Sequence, residues 1–188
     1  MDYKYQNDVW NLGLTMAHNK NKVLSLGNDE FTFPEADKQR GGVGDGSVGW
    51  TSQKFQILEV GESVGNFYGF KYAGQDEKGK FYGYNINGDI VEWSKLKNED
   101  KVILGNALPV ITWGLSSSMS FYNVDFSFNL RGAIGGKLLN QKRLAYGNKS
   151  SLASGNMIVS PDNGLTPPKV MTDYYLESGT FAKLGDVT

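Results

Sequence analysis

Hydrophobic and polar residues alternate most regularly between Thr112 and Ile134, and this pattern predicts two β-strands joined by a minimal turn at Tyr122–Asn123. Successive side chains of a strand point to opposite faces of its sheet, so each strand has one apolar and one polar face. The apolar face carries Trp113, Leu115, Ser117, Met119, Phe121, Val124, Phe126, Phe128, Leu130 and Ile134. The polar face carries Thr112, Gly114, Ser116, Ser118, Ser120, Asp125, Ser127, Asn129 and Arg131. Each strand has about the 9–11 residues that a tilted strand needs to cross a bilayer.

Two architectures suit such a ribbon. In a transmembrane barrel the apolar face contacts lipid, whereas in a soluble sandwich it meets a second sheet. Alternation alone favours the soluble sheet. The connections favour the barrel, because one turn is minimal while Asn19–Val110 and Gly135–Thr172 are very long, and outer-membrane barrels combine short turns with long loops. The sequence therefore predicts an all-β fold, an antiparallel meander that forms part of a transmembrane β-barrel.

Two further strands are predicted outside this ribbon. Trp10, Leu12, Leu14 and Met16 alternate with polar or small residues and predict a strand at about residues 8–19. The end of the chain predicts another strand at about residues 174–188, with an irregularity at Ser178–Gly179. Because the chain stops inside this strand, we expect it to be part of a longer domain.

The two long connections are predicted to be loops with little regular structure. Residues 20–111 contain two related pieces, Asn66–Gly74 and Lys80–Asn85, which predict a short hairpin across a polar, glycine-containing turn. The stretch after this hairpin is predicted to be mostly loop. Residues 135–173 can hold about two turns of helix that end at Gly147.

Composition excludes several classes of function. The 188 residues include 19 basic and 20 acidic ones, so no overall field draws the chain to nucleic acid, and no nucleic-acid partner is expected. The absence of cysteine removes disulfides, thiolate metal sites and cysteine nucleophiles. No apolar run reaches the length of a membrane helix. We expect neither a cofactor nor a bound metal.

Candidate catalytic and metal-binding residues are few. His18 is the only histidine and falls near a strand end, where an interfacial side chain is the ordinary role. Asn85, Asn87 and Asp89 place oxygen ligands at alternate positions, as a calcium loop begins, but Ile90 and the missing glutamate break that pattern. A turn without an ion explains these residues better. Because no nucleophile, base and orienting group can be assembled, we do not expect an enzyme.

Five aromatic residues in the first long loop are candidates for ligand binding. They are Tyr68, Tyr72, Tyr82, Tyr84 and Trp93. Aromatic faces offer apolar contact beside polar edges, which suits a sugar ring. Packing within the loop hairpin explains the same rings, so both interpretations stay open.

Several separate segments, in order, resemble the C-terminal part of the SusC/RagA family of TonB-linked outer-membrane transporters. They are NKNKVLSL, VGESVGNFYGFKYAG, NGD followed by DKVILGNALP, WGLSSSMSFYNVDFSFNLRGAIGGKLLN, and YYLESGTFAKLGDVT. Several motifs in one order are more specific than any one of them. The sequence departs from the family where NGDG is replaced by NGDI, which weakens the case for ion binding at this turn.

The resemblance implies a barrel of about 22 strands with an internal plug, placed in the bacterial outer membrane and its lipid bilayer. It implies import of glycan or peptide fragments with a SusD-like lipoprotein as partner and the TonB complex as energy source. Residues 20–111 and 135–173 would be extracellular. The plug and the segment that contacts TonB would lie outside this sequence.

The competing hypothesis is a soluble extracellular carbohydrate-binding β-module. In that module Phe126, Phe128 and Leu130 would be buried between two sheets, whereas in the barrel they would form part of an exposed outer band. The burial of these three residues therefore distinguishes the two hypotheses.

Overall fold

The computed structural model describes residues 9–34, 39–42, 54–122, 124–147, 158 and 170–187. Asn123 of the predicted turn lies outside the described residues, and Tyr122 before it has a left-handed φ of 53°. The strands are β1 (Val9–His18), β2 (Gln39–Gly42), β3 (Lys54–Ile57), β4 (Asn66–Gly69), β5 (Tyr72–Gln75), β6 (Phe81–Tyr84), β7 (Ile90–Glu92), β8 (Val102–Asn106), β9 (Ile111–Phe121), β10 (Val124–Ile134), β11 (Lys137–Leu139), β12 (Leu176–Ser178) and β13 (Phe181–Val187). Helix α1 spans Gln141–Tyr146. Short 3₁₀ helices span Trp93–Lys95, Asn98–Asp100 and Asp173–Tyr175.

The chain divides into two compact units. Unit 1 comprises Met1–Lys20, Leu108–Gly136 and Ser178–Thr188, and unit 2 comprises Asn21–Ala107 and Lys137–Glu177. Unit 1 contains a four-stranded sheet in the order β1-β9-β10-β13, and its neighbouring strands run antiparallel. The prediction of an all-β, antiparallel fold is confirmed.

The register of the unit 1 sheet collects its apolar side chains on one face. One row crosses all four strands and consists of Leu14, Leu115, Leu130 and Leu184. A second row contains Trp10, Met119 and Phe126. The alternation in each strand thus becomes a continuous apolar surface, because antiparallel pairing places residues of the same face opposite each other.

This apolar face is not a core. Leu14 is 65% exposed and Phe126 is 43% exposed, while Phe128 and Leu130 are half-buried. The serine that interrupts the face has a specific role, since the Trp10 Nε1–H donates a hydrogen bond to Ser117 Oγ at 2.9 Å. An indole N–H in an apolar environment needs such an acceptor. These exposures match the barrel hypothesis and not the soluble sandwich.

Gly132 allows β10, β9 and β13 to approach closely. It lies opposite Trp113 and Ala182, and a Cβ at this position would stand 2.6 Å from ring atoms of Trp113 and 2.5 Å from the carbonyl oxygen of Phe181. Glycine in a strand interior marks close approach of this kind. The indole ring of Trp113 therefore covers the gap that the missing side chain leaves.

We expect Gly132→Ala to destabilise the folded full-length protein by about 1–3 kcal/mol, because the added methyl group would clash with both the Phe181 carbonyl oxygen and the Trp113 indole ring. The shift of its heat-modifiable band on a denaturing gel measures this loss. Gly114→Ala is the matched control, since its Cβ would stand 2.9 Å from the side-chain hydroxyl of Thr15 and at an ordinary 3.9 Å from the Leu130 carbonyl oxygen. Equal loss in both variants would contradict the packing argument.

Unit 2 contains the hydrophobic core. Its sheets have the strand orders β2-β3-β4-β8, β5-β6-β7 and β11-β12. Phe55, Phe67 and Met171 are buried together, and the partly buried residues around them are Leu104, Ala107, Leu139 and Leu176. Tyr175 is fully buried. The segments predicted as long loops therefore fold around a core of their own.

The hairpin predicted from Asn66–Gly74 and Lys80–Asn85 is wrong in its first strand. The antiparallel pair is β5 with β6, whereas β4 pairs with β3 and β8 in another sheet. Burial explains the difference, because Phe67 of β4 joins the core beside Phe55. The local pattern of hydrophobic and polar residues does not predict a tertiary contact of this kind.

The stretch predicted to be mostly loop after this hairpin is also corrected. It contains β7, two 3₁₀ helices and β8. β7 returns after the turn at Asn87–Gly88 and pairs with β6, and β8 pairs with β4. These strands are short and only partly buried, so they lack the alternation that predicts a strand.

Helix α1 is short and capped at both ends. Asn140 Oδ1 accepts a hydrogen bond from the Arg143 N–H at 2.8 Å, and the Gly147 N–H donates to the Arg143 carbonyl at 2.9 Å. Gly147 is the C-cap residue but has a right-handed φ of −79°, so its role does not depend on the left-handed conformation.

The segment predicted as one strand at 174–188 forms two strands in different sheets. Its beginning is a 3₁₀ helix, β12 pairs with β11, and β13 pairs with β10. The irregularity predicted at Ser178–Gly179 lies at the change of sheet, where the Gly179 N–H donates to the Gly136 carbonyl at 3.1 Å.

Candidate functional site

Two tyrosines share one face of the three-stranded sheet in unit 2. Tyr82 and Tyr84 are two positions apart in β6, so both side chains point the same way. Their cross-strand neighbours in β7 are Glu92 and Ile90. Both tyrosines are half-buried, and Ile90 is exposed. This face, defined by Tyr82, Tyr84, Ile90 and Glu92, is called the tyrosine face below.

Charged groups surround the tyrosine face. The Tyr82 hydroxyl donates a hydrogen bond to Asp76 Oδ2 at 3.3 Å, and Lys80 Nζ lies 3.5 Å from Glu92 Oε1. Lys71 Nζ lies 5.0 Å from the centre of the Tyr84 ring. Flat apolar surface beside hydrogen-bonding groups is the combination that recognises a sugar or a peptide chain.

The other three aromatic candidates lie elsewhere. Tyr72 is opposite Gly83, on the reverse side of the sheet, and its ring centre lies 5.2 Å from that of Tyr174. Trp93 packs edge-on against Phe70 with 5.5 Å between ring centres. Tyr68 belongs to β4 in the four-stranded sheet of unit 2. The structure thus brings together two of the five predicted residues.

Tyr174 extends the packing on the reverse side of this sheet. The Arg143 guanidinium lies 4.2 Å from the centre of its ring, and Arg143 Nη2 donates to the Tyr174 hydroxyl at 2.8 Å. The Tyr72 N–H donates to Asp173 Oδ1 at 2.7 Å. Tyr72 therefore has a structural role that its position in the sequence does not show.

The calcium-like turn uses its polar atoms internally. Asn85 Oδ1 accepts hydrogen bonds from the N–H groups of Asn87 and Asp89, at 3.0 and 2.8 Å. Asn85 Nδ2 donates to Asp89 Oδ2 at 3.1 Å. In the part of the chain that the structure describes, no group of three or more acidic, histidine or cysteine side chains could hold a metal ion.

His18 has a structural contact at the end of β1. Its Nδ1 lies 2.8 Å from the Val110 carbonyl oxygen, and an N–H on that nitrogen donates to the carbonyl. The side chain is exposed. The bond connects the end of β1 to the residue that precedes β9.

Asp100 connects the turn between β6 and β7 to the following 3₁₀ helices. Its Oδ1 accepts from the Ile86 N–H at 2.9 Å, and its Oδ2 accepts from the Lys97 N–H at 2.7 Å. The hydrogen bonds from Lys97 and then from Ile86 hold the pKa of this carboxyl below its usual 3.8. The turn beside the tyrosine face is thereby fixed.

We expect the turn at Ile86 to lose stability in acid. A carboxyl whose pKa is lower in the folded state than in the unfolded state stabilises the folded state at any pH above its unfolded pKa. This stability is lost as the pH falls through the folded pKa, so for Asp100 the loss begins near pH 3.8 and continues below it. Hydrogen exchange of the Ile86 and Lys97 amides, normalised to intrinsic rates, measures it. In the Asp100→Asn variant, the protection of these two amides is expected to be lower at neutral pH and not to fall further in acid. An acid transition that persists in the variant contradicts the assignment.

Among the described residues, no helix combines the length and the apolar character needed to cross a membrane. No protein-family model matches the chain. Individual proteins are nevertheless similar to it in sequence. The chain is 25% identical over 204 aligned positions to TonB-dependent receptor P3 of Formosa agariphila, covering 97% of this chain. It is 31% identical over 147 positions to TonB-dependent receptor P26 of the same organism, covering 70% of this chain.

The chain is also similar to the SusC protein and to a solved structure. TonB-dependent receptor SusC of Bacteroides thetaiotaomicron is 24% identical over 198 positions, or 96% of this chain. The solved structure of the RagAB peptide transporter matches 71% of the chain with a TM-score of 0.58 and 24% identity, and so shares its fold. The chain is of the SusC/RagA type of TonB-dependent receptor. The resemblance of the sequence to this family is confirmed.

The SusC/RagA-type chain spans about a fifth or less of its relatives. It covers 20% of receptor P3, 13% of receptor P26, 18% of SusC and 16% of the RagAB chain. These relatives are receptors and transporters, not enzymes. The predicted location in the bacterial outer membrane is confirmed by this family membership.

Proposed function

We propose that the chain forms part of the barrel wall of an outer-membrane importer of nutrients. The observation that carries this proposal is the exposed apolar face of the unit 1 sheet, with leucine rows across four antiparallel strands. Lipid tails cover such a face in a membrane. Every backbone polar group in hydrocarbon needs a hydrogen-bond partner, so β1 and β13 pair with further strands of a closed barrel.

The proposed cargo is a glycan or peptide fragment. A SusD-like lipoprotein outside the cell would be the partner of the barrel, and the TonB complex would supply the energy. The family relationship supports these assignments, as does the solved relative, which is a peptide transporter. The segments predicted as residues 20–111 and 135–173 would then be extracellular.

Within unit 2 we propose the tyrosine face as a cargo contact. Tyr82 and Tyr84 present neighbouring rings beside an ion pair, which suits a sugar or peptide backbone. Tyr72 and Trp93 support the sheet from its reverse side through Tyr174 and Phe70. Tyr68 is retained as a more distant candidate in the neighbouring sheet.

Uptake of labelled glycans and peptides by the bacterium tests this proposal. Deletion of the receptor gene is expected to abolish uptake of at least one probe, and the full-length gene restores it. Combined Tyr82→Ala and Tyr84→Ala is expected to raise the probe concentration for half-maximal uptake about tenfold, as loss of two ring contacts would. Tyr122→Ala is the matched control, because Tyr122 is an exposed tyrosine outside unit 2.

Two results would contradict the proposal. Unchanged uptake of every probe after gene deletion would remove the transport function. Recovery of the full-length protein in the soluble fraction would instead favour the carbohydrate-binding module. Normal uptake in the double tyrosine variant would contradict only the proposed role of the tyrosine face as a cargo contact.

A further inference from the structure

Two basic residues face each other on the polar side of the unit 1 sheet. Arg131 of β10 is the direct cross-strand partner of Lys183 of β13, and both are exposed. Arg131 is also opposite Gly114 of β9, which has no side chain to cover the guanidinium. Like charges in directly opposed positions destabilise a sheet unless an opposite charge lies between them.

Within the described part of the chain, no acidic side chain pairs with either base. Neither Arg131 nor Lys183 forms an ion pair or a side-chain hydrogen bond within it. Asp125 accepts a hydrogen bond from the Ser120 hydroxyl three rows away. Arg131, Lys183 and Asp186 line one depression, and Asp186 lies where the register between β10 and β13 shifts. With two bases and one acid, the depression has a net positive charge.

We propose that Arg131 and Lys183 form a carboxylate-binding pair on the inner wall of the barrel, and that its occupant is an acidic group of the imported solute. The inner position follows from the opposite, apolar face of the same strands. The identity of the occupant as cargo rests on the proposed function. The site would select acidic sugars or peptides with a free carboxylate over neutral compounds.

The geometry suits a carboxylate. A guanidinium donates two parallel hydrogen bonds to the two carboxylate oxygens, and an ammonium beside it adds a third donor. The amide of Asn129, two positions from Arg131 on the same face, lines the depression as well. The neighbouring positions Gly13, Gly114 and Ser116 are small and leave room for a sugar ring or a peptide unit.

Chemical protection of Lys183 tests the site in the purified full-length receptor. N-acetoxysuccinimide acetylates accessible lysines, and mass spectrometry follows the rate at Lys183. Oligogalacturonate, whose sugars carry carboxylates, is expected to slow this reaction about threefold or more, as a charge-assisted contact would. The neutral galactose oligomer of the same length, at equal ionic strength, is expected to have no effect.

Two variants and a crosslinking step test whether Arg131 and Lys183 bind the carboxylate together. Arg131→Gln is expected to abolish the protection, whereas Lys137→Gln, which removes a lysine of unit 2, is expected to preserve it. A Lys183 that reacts equally with and without oligogalacturonate overturns the inference. So does a Lys183 that a carbodiimide links to an aspartate or glutamate of the receptor, because the occupant is then the protein itself. The protection of Lys183 is measured without transport. If the uptake test fails while protection is observed, the proposed function is contradicted but Arg131 and Lys183 still form a carboxylate-binding site.

Discussion

Replacing Leu14 with arginine is expected to destabilise the folded full-length receptor by about 2–4 kcal/mol, the cost of a basic side chain on the lipid face near the middle of a bilayer. Leu14 lies in the row of leucines that crosses the centre of the unit 1 sheet, and it is 65% exposed. In a soluble protein an arginine at such an exposed position would be almost neutral. The amount of receptor in the outer membrane and its heat-modifiable band on a denaturing gel measure the effect.

Ser116→Arg is the matched control for this substitution. Ser116 lies near the middle of β9 on the polar face, is exposed, and has Gly13 as its cross-strand partner. Because this face is expected to meet water, the arginine costs little there. Equal tolerance of both arginines would contradict the membrane assignment of the sheet.

Replacing Phe67 with alanine is expected to destabilise unit 2 by about 3–5 kcal/mol, because a large ring is removed from a packed core and the cavity closes only in part. Phe67 is 4% exposed and packs with Phe55 and Met171. Hydrogen exchange of β3, β4 and β8 in the full-length receptor measures the loss.

Phe31→Ala removes the same ring from a position in unit 2 that is 56% exposed. Phe31 contacts Phe33 edge-on at 6.4 Å between ring centres, so only a small change, within about 0.5 kcal/mol, is expected. If Phe67→Ala were as mild as this control, the core described for unit 2 would not stabilise it.

Local pattern predicted three of the four unit 1 strands well, namely β1, β9 and β10. β9 and β10 begin and end within one residue of the predicted arms, because a strand with one apolar and one polar face shows its period directly in sequence. The family resemblance, which rests on several motifs in order, supplied the location in the outer membrane. Short strands such as β7 and β8 had no such period and were missed.

The candidate site was predicted by residue type and not by arrangement. Tyr82 and Tyr84 stand two positions apart in one strand, so their shared face could be read from spacing once the strand was recognised. The separation of Tyr72 and Trp93 from them depends on Gly83 and on rings that are distant in sequence. The pairing of Arg131 with Lys183 spans 52 positions of the chain and follows only from the register of β10 with β13.

The sequence alone established the alternating strands and the two chemically different faces of the central ribbon, because these properties depend on neighbours within a few positions. It also excluded cysteine chemistry, because the composition contains no cysteine. Three-dimensional folding decided which short strands share a sheet, which rings enter the core of unit 2 and which charges face each other. Those outcomes depend on burial and strand register between distant segments, where a shift of one residue would move every side chain to the other face.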